Sequence, residues 1–259
     1  WRNPGFPQGP THPVIGVTWY DAQAFCAWLT QREQSRGLIG KDQRYRLPAD
    51  KEWEAAIGGG KYTYGGNRWP PPAGTGNYAG AESGAGDVPQ PWGVIGDLKE
   101  VSPTYRDAYP RTSPVGVFRP NRHGLYDMGG NVWQWCGDDY RAGMNGWLLR
   151  RQYKFLKEDG GGHRYRILRG GSWRSTGRRL VRSDVRYFGV PAFCDDSTGF
   201  RCVLEKSGIP SKSPRTVVKR GKAAFLPLTS KTIVGTWNRP QMFFADSADA
   251  IAGKTLAPA

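Results

Sequence analysis

The chain has 259 residues, of which 38% are hydrophobic, and a formal net charge of +15. No apolar run reaches the roughly 20 residues of a transmembrane helix, which excludes an integral membrane protein of that kind. Glycine (36), proline (20), tryptophan (11) and tyrosine (12) are all abundant. This composition predicts an aromatic core held by many turns, with few long helices or strands.

Two helices are predicted after an extended lead-in over residues 1–13, which is rich in Pro and Gly. The first follows Thr18, a good N-cap residue, and ends at Gly37. Its apolar face is predicted to comprise Trp19, Ala22, Phe25, Cys26, Trp28 and Leu29. A second, short helix is predicted from about 48 to 57, because Pro48 suits a first turn and three glycines follow Ile57.

Residues 61–120 show no periodicity, and proline and glycine interrupt any regular element. A loop region of that length is unusual in a compact domain, and a bound metal is one way to hold it. Dense aromatic turns are predicted over 124–136. Strands are predicted at 165–168 and at 199–204.

A basic segment follows Glu205. Residues 206–259 contain nine basic and two acidic residues, so this segment holds +7 of the net charge. No helix-turn-helix, RNA-recognition or zinc-finger pattern accompanies it, so a specific nucleic-acid partner is not predicted. We expect a linker and arm over 206–259 that contact other protein chains.

Four cysteines occur at positions 26, 136, 194 and 202, and none lies in a CxxC pair. With three histidines in the chain, this spacing makes a zinc site improbable. An even number of widely spaced cysteines permits disulfides, which form in oxidising compartments. The expected location is therefore extracytoplasmic, either periplasmic or at the cell surface.

Seven short motifs occur in the order found in one known family. They are Val17-Thr18-Trp19-Tyr20-Asp21-Ala22, Tyr45-Arg46-Leu47-Pro48, Ser113-Pro114-Val115-Gly116, Gly124-Leu125-Tyr126-Asp127-Met128, Gly130-Asn131-Val132-Trp133, Arg169-Gly170-Gly171-Ser172-Trp173 and Gly199-Phe200-Arg201-Cys202. On these motifs the chain resembles the formylglycine-generating-enzyme, or sulfatase-modifying-factor, family. The resemblance implies an α+β, C-type-lectin-like fold with much irregular structure over 14–205, and the extended C-terminal arm predicted from its composition lies beyond it.

The resemblance also bears on catalysis. In the family's oxidases two cysteines shortly after the Gly-Gly-Ser motif bind copper, because soft thiolates select Cu(I). Ser175 and Leu180 stand at those positions, and no cysteine occurs between Trp173 and Phe193. The family's iron-dependent sulfoxide synthases use histidines of a separate helical domain, which these residues do not contain. We therefore predict no catalytic residue and no copper.

These departures favour a non-catalytic binding or assembly module, an accessory or structural subunit of a larger bacterial complex. The resemblance also implies strands ahead of position 12, which were cleaved or not included unless another chain covers the surface that they would protect. The basic arm is an addition to the family's pattern. Two alternatives stay open. One is a lectin-like ligand-binding protein of the retroelement variable-protein type, and the other is a divergent formylglycine-generating oxidase.

Two structural calcium sites and a disulfide are implied by the resemblance. The first site would comprise Asn77, Tyr78, Asp107 and Tyr109, and the second Asp127, Gly130, Val132 and Gln134. Carboxylate, amide and carbonyl oxygens are the ligands that calcium takes. Gln134 stands where the family has Glu, so the second site is expected to be weaker. The alternative is that these Asn and Asp residues only shape turns. The implied disulfide joins Cys26 to Cys202.

A ligand-contacting stretch is implied between the Gly-Gly-Ser-Trp and Gly-Phe-Arg-Cys motifs. The predicted contact residues are Arg174, Ser175, Arg178, Arg179, Arg182, Asp184, Arg186 and Tyr187. Arginines beside aromatic rings suit carboxylate, phosphate or protein recognition. The alternative is that they form a solvated face or a set of structural salt bridges.

Overall fold

Two helices and six short strands form the regular structure of the residues that the computed structural model describes, which are 3–83, 104–141, 164–175 and 178–206. In chain order they are α1 (Trp19–Ser35), β1 (Gln43–Arg46), α2 (Asp50–Ala56), β2 (Trp133–Asp139), β3 (Arg166–Arg169), β4 (Tyr187–Gly189), β5 (Thr198–Phe200) and β6 (Val203–Lys206). One 3-10 turn, Ala81–Ser83, lies between α2 and β2. This mixture confirms the predicted α+β class.

The first helix begins and ends where its capping residues predicted. The Thr18 hydroxyl accepts a hydrogen bond from the Asp21 N–H at 3.1 Å, and the Asp21 carboxylate accepts one from the Thr18 N–H at 2.8 Å. Gly37 follows the last turn at φ 67°, in the left-handed region that glycine adopts at little cost. The buried face includes Ala22, Phe25 and Cys26, as predicted.

The prediction for Trp28 is wrong, because this side chain does not lie on the buried face of α1. It is 38% exposed, and the Arg32 guanidinium lies 5.1 Å from its ring centroid. At about 100° per residue, position 28 lies some 120° around the helix from Ala22. Glu33 is one of the four buried residues of α1 instead.

The strands form two sheets. One has the order β4-β3-β2-β5, with β2 antiparallel to β3 and parallel to β5, and the other pairs β1 with β6. The first four residues of β2 are all buried, so this central strand lacks alternation between a buried and an exposed face. We had predicted turns over 124–136, and β2 corrects that prediction from Trp133 onward.

The predicted strand over 199–204 is two strands. β5 ends at Phe200 in the four-stranded sheet, and β6 begins at Val203 in the two-stranded sheet. Between them, the Arg201 side chain donates a hydrogen bond from Nε to Gln134 Oε1 at 2.6 Å. The chain therefore passes from one sheet to the other at residues 201–202. By contrast, the strand predicted at 165–168 is confirmed as β3 within one residue.

Three tryptophans anchor the core, and each is at most 1% exposed: Trp53, Trp135 and Trp173. Each ring N–H has an acceptor. Trp53 donates to Gln134 Oε1 at 2.9 Å, Trp135 to the Val17 carbonyl at 3.1 Å, and Trp173 to the Asp196 carbonyl at 3.2 Å. These hydrogen bonds orient the buried rings. Truncation of one such ring to alanine typically lowers the free energy of unfolding by about 3–5 kcal/mol.

The described parts of the connection between α2 and β2 are irregular, as the lack of periodicity predicted. Within its described parts, 58–83 and 104–132, the only helical element is the 3-10 turn. Side chains replace a strand ladder there. Asn131, for example, accepts a hydrogen bond from the Ser113 N–H at 3.0 Å and donates one to the Ser113 carbonyl at 3.1 Å. Among the described residues no helix has both the length and the apolar character to cross a bilayer.

Candidate functional site

The two positions that correspond to the copper-binding cysteines offer no thiolate. Ser175 is 2% exposed, and its hydroxyl accepts a hydrogen bond from the Ser172 N–H at 2.9 Å. Leu180 packs against the core cluster that contains Trp133 and Trp135. A hydroxyl that is already hydrogen-bonded and an alkyl side chain supply no soft ligand, so this position does not suit Cu(I).

The other thiols do not replace this pair. Cys136 is completely buried, and burial is the main cause that raises the pKa of its thiol far above the usual range. Because the thiolate is the reactive form, Cys136 is an inert core residue. Nor do the described residues place three or more His, Cys, Asp or Glu side chains together as a metal site.

Arg186 lies in a buried ion-pair network rather than on a ligand face. Its Nε donates to Asp50 Oδ2 at 2.9 Å, and its Nη2 lies 3.5 Å from Glu54 Oε2. Asp50 also pairs with the completely buried Arg169 at 3.3 Å. Burial lowers the pKa of Arg169, and the charge of Asp50 opposes that shift. The structural alternative therefore holds for Arg186.

Arg174 and Tyr187 also make structural contacts. Arg174 Nη2 donates to Asp196 Oδ2 at 2.7 Å, and its guanidinium lies 4.8 Å from the Trp173 ring centroid. Tyr187 stacks on Trp133 with ring centroids 5.1 Å apart. Together with the buried Ser175, these residues correct the prediction that the whole stretch faces a ligand.

The remaining four predicted contact residues reach the surface: Arg178, Arg179, Arg182 and Asp184. Arg182 donates two hydrogen bonds to Asp184, at 2.8 and 2.5 Å, and this pairing lowers the pKa of Asp184. The segment is held in place because the Ser183 N–H donates to the Lys61 carbonyl at 3.0 Å. The structure thus reduces the predicted ligand face to a short basic surface.

The residues of the first predicted calcium site lie together. Asp107 accepts hydrogen bonds from the N–H groups of Tyr78 at 2.8 Å and Tyr109 at 2.9 Å. Asn77 is completely buried and donates to the Arg111 carbonyl at 2.7 Å, while its Oδ1 has no hydrogen-bond partner. A buried oxygen without a partner is costly. These residues fit a hard cation, and calcium bound to them would join the segment around 77 to that around 107.

Sequence reasoning missed Glu82, which lies against this first site. Its Oε1 accepts a hydrogen bond from the Asp107 N–H at 3.3 Å, and its Oε2 is buried without a partner. Burial raises the pKa of Asp107 to about 7, and the neighbouring Glu82 charge adds to the shift. No motif marked Glu82, since the bond connects residues 25 positions apart in irregular backbone.

The second predicted site differs, because Gln134 is already bonded. Its Oε1 accepts hydrogen bonds from Trp53 Nε1 at 2.9 Å and Arg201 Nε at 2.6 Å, and its Nε2 donates to the Asp127 carbonyl at 2.8 Å. Arg201 Nη2 also donates to the carbonyls of Tyr126 and Asp127. Asp127 Oδ2 accepts the Gly116 N–H at 2.7 Å, which leaves Oδ1 buried without a partner. This arrangement does not suit calcium, since a guanidinium contacts the oxygen that would bind it.

Cys26 and Cys202 lie together, as the implied disulfide requires. Their sulfur atoms are 3.4 Å apart, within hydrogen-bond distance, and no covalent bond joins them. A disulfide has an S–S distance of about 2.05 Å, so only a small movement is needed to pass from the two thiols to the disulfide. The disulfide stays a prediction.

Comparison with known proteins agrees with this geometry. The sulfatase-modifying factor enzyme 1-like domain matches residues 1–206. The inactive C-alpha-formylglycine-generating enzyme 2 of Bos taurus is 32% identical over 216 residues, 78% of this chain and 55% of that protein. The formylglycine-generating enzyme of Streptomyces coelicolor is 31% identical over 219 residues, 78% of this chain and 57% of that protein. The chain thus spans little more than half the length of these two relatives.

A solved structure supports the fold. Treponema denticola variable protein 1 superposes with a TM-score of 0.52 at 23% sequence identity, covering 78% of this chain and 73% of that one. An enzyme and a relative named inactive match almost equally well, so overall similarity does not decide catalysis. The family is nevertheless shown by the domain match and by the relatives together. The chain belongs to the sulfatase-modifying factor enzyme 1-like, or formylglycine-generating enzyme, family.

Proposed function

We propose that this chain is a non-catalytic binding or assembly module of the family, an accessory subunit of a larger bacterial complex. One observation carries the proposal. The two positions that hold copper in the family's oxidases contain Ser175, whose hydroxyl is buried and hydrogen-bonded, and Leu180, which packs in the core. Neither side chain supplies the soft thiolate that Cu(I) prefers, so these two positions do not hold copper in this chain.

The surface of the former catalytic region supports a binding role. One turn at the surface carries Arg178, Arg179 and Arg182. Val181 in the same turn is completely buried, which attaches the turn to the core. Guanidinium groups on a rigid backbone pair well with carboxylates of a protein partner. The basic arm predicted over 206–259 lies outside the described residues apart from Lys206, and it adds charge of the same sign.

Calcium as a structural cofactor, and an extracytoplasmic location, belong to the same proposal. The oxygens around Asn77 and Asp107 support the first, and the adjacent sulfurs of Cys26 and Cys202 support the second. Titration of free thiols in protein purified without reductant tests the disulfide on which the location depends. Two free thiols are expected if Cys26 and Cys202 form the disulfide, and four if they do not.

Incubation with copper and a sulfatase-motif peptide tests the proposal. The peptide cysteine should keep its mass, while a loss corresponding to aldehyde formation would restore the oxidase alternative. In parallel, Arg178→Glu/Arg179→Glu and, as a control, Arg119→Glu would be used to recover partner chains from the native host. An assembly role is supported if partner chains are recovered at fixed stoichiometry with the wild type and the control, and are lost with the double variant. Unchanged recovery with both variants contradicts binding through this surface.

A further inference from the structure

Two carboxylates meet in the irregular region between α2 and β2. They belong to Glu82 and Asp107. The Asp107 N–H donates a hydrogen bond to Glu82 Oε1 at 3.3 Å, which holds the Glu82 side chain next to Asp107. Gly80 leaves room for this approach, because a Cβ there would lie 2.7 Å from Glu82 Oε1. The Ala81 N–H donates to the Tyr105 carbonyl at 2.9 Å and holds the two segments together.

Neither carboxylate has a basic partner. Within the described parts of the chain, no lysine, arginine or histidine forms an ion pair with Glu82 or Asp107. By contrast, the buried Asp50 pairs with Arg169 and Arg186, and the half-buried Asp196 pairs with Arg174. Neighbouring like charges withdrawn from water are costly unless a cation compensates them.

Oxygen atoms without partners surround this pair. Glu82 Oε2 and Asn77 Oδ1 are both buried without a hydrogen-bond partner, and Asn77 is completely buried. The Asp107 carboxylate accepts hydrogen bonds from the N–H groups of Tyr78 and Tyr109. Among described donors none bonds to the carbonyl of Tyr78 or Tyr109. Nitrogen and sulfur ligands are lacking, so the donor set suits a hard divalent cation that takes six to eight oxygens.

We propose that Glu82 is an additional calcium ligand of this chain, which binds through Oε2 to the ion held by Asn77 and Asp107. The ligand set implied by the family resemblance contains one carboxylate at this site, and Glu82 makes it two. A second negative charge raises the affinity for a divalent cation. It also makes the 3-10 turn Ala81–Ser83 part of the site, so calcium connects this turn to the segment that follows Tyr105.

Calcium titration of the full chain tests this assignment. Protein freed of metal with a chelator would be titrated with calcium alone, followed by calorimetry, and the same titration would be made with magnesium. The wild type should bind one calcium per chain. Glu82→Gln should weaken that binding at least tenfold, and the control Glu54→Gln, whose side chain pairs with Lys51 and Arg186, should leave it unchanged.

Thermal unfolding provides a second readout that a purely structural role for Glu82 would not produce. Without calcium, Glu82→Gln should unfold at the same or a higher temperature than the wild type, because it removes the repulsion with Asp107. With calcium the order should reverse. The assignment is overturned if Glu82→Gln binds calcium as tightly as the wild type, or if the wild type binds none. A variant that is less stable by the same amount in both conditions also overturns it.

Discussion

The two calcium sites implied by the family resemblance differ in what their oxygen atoms already bind. At the first, the side-chain oxygens of Asn77 and Glu82 include one atom each that is buried without a partner. At the second, Asp127 Oδ1 is likewise buried without a partner, but the oxygen of Gln134 accepts hydrogen bonds from Trp53 and Arg201. The family resemblance implies both sets of ligand residues, so the resemblance alone does not separate the two sites.

The source of positive charge explains the difference. Burial raises the pKa of Asp127 at the second site, and the charge of Arg201 opposes that shift. At the first site the neighbouring charge that acts on Asp107 is that of Glu82, which has the same sign and adds to the rise in the pKa of Asp107. One site thus has an internal cation in the form of a guanidinium, and the other requires a cation from solution. We therefore expect calcium to act at one site and Arg201 to act at the other.

The largest effect is expected from removal of the internal cation. Arg201→Ala takes away donors to Gln134 and to the carbonyls of Tyr126 and Asp127. Gln134 Oε1 keeps the bond from Trp53 and the Asp127 carbonyl keeps the bond from Gln134 Nε2, so the main losses are the partner of the Tyr126 carbonyl and the charge-assisted bond to Gln134. The free energy of unfolding should fall by about 3 kcal/mol. Denaturant unfolding measures it, with the exposed Arg119→Ala as a control expected to change stability by less than about 0.5 kcal/mol. A loss as small as that of the control would show that Arg201 does not hold the second site.

Sequence reasoning located the helices because their signals are local. Thr18 and Gly37 define the two ends of α1 within a few residues of chain. The strands were harder to predict, because β2 is buried on both faces and the polar Gln134 interrupts its apolar run. β1 and β4 have four and three residues, too few for a periodicity to appear.

The site was predicted only in part, for a related reason. The family resemblance pointed to Asn77 and Asp107, and the structure places Asp107 on the N–H of Tyr78, the residue that follows Asn77. The contributions of Glu82 and Arg201 depend on contacts across 25 and 67 positions of the sequence. Such contacts leave no local pattern. The arginines of 174–186 have similar local sequence surroundings, and only the fold separates the buried Arg186 from the exposed Arg178.

A matched pair of aspartate variants sharpens the comparison between the sites. Asp107 and Asp127 both accept backbone N–H groups, so their replacement by asparagine has a similar cost in hydrogen bonds. Calcium at about 100 times its dissociation constant should stabilise the wild type by about 2.7 kcal/mol. Asp107→Asn should lose most of this gain, and Asp127→Asn should keep it. Melting with and without chelator measures both, and the reverse pattern would place the ion at the second site.

The smallest effect, and the strictest test, comes from giving the second site the glutamate that the family has there. In Gln134→Glu the new carboxylate would lie where Gln134 Oε1 is 2.6 Å from Arg201 Nε, and the two would form an ion pair. A buried ion pair in good geometry is close to neutral for stability. The variant also loses the bond from Gln134 Nε2 to the Asp127 carbonyl, so we expect the free energy of unfolding to fall by about 1–2 kcal/mol. Because the Arg201 guanidinium neutralises the charge of the added carboxylate, calcium binding should stay at one ion per chain. The double variant Glu82→Gln/Gln134→Glu isolates the second site, because binding at the first is weakened. If that protein binds calcium more tightly than Glu82→Gln alone, then Arg201 gives way to the metal, and the contrast between the two sites rests on the charge of residue 134 rather than on the arginine.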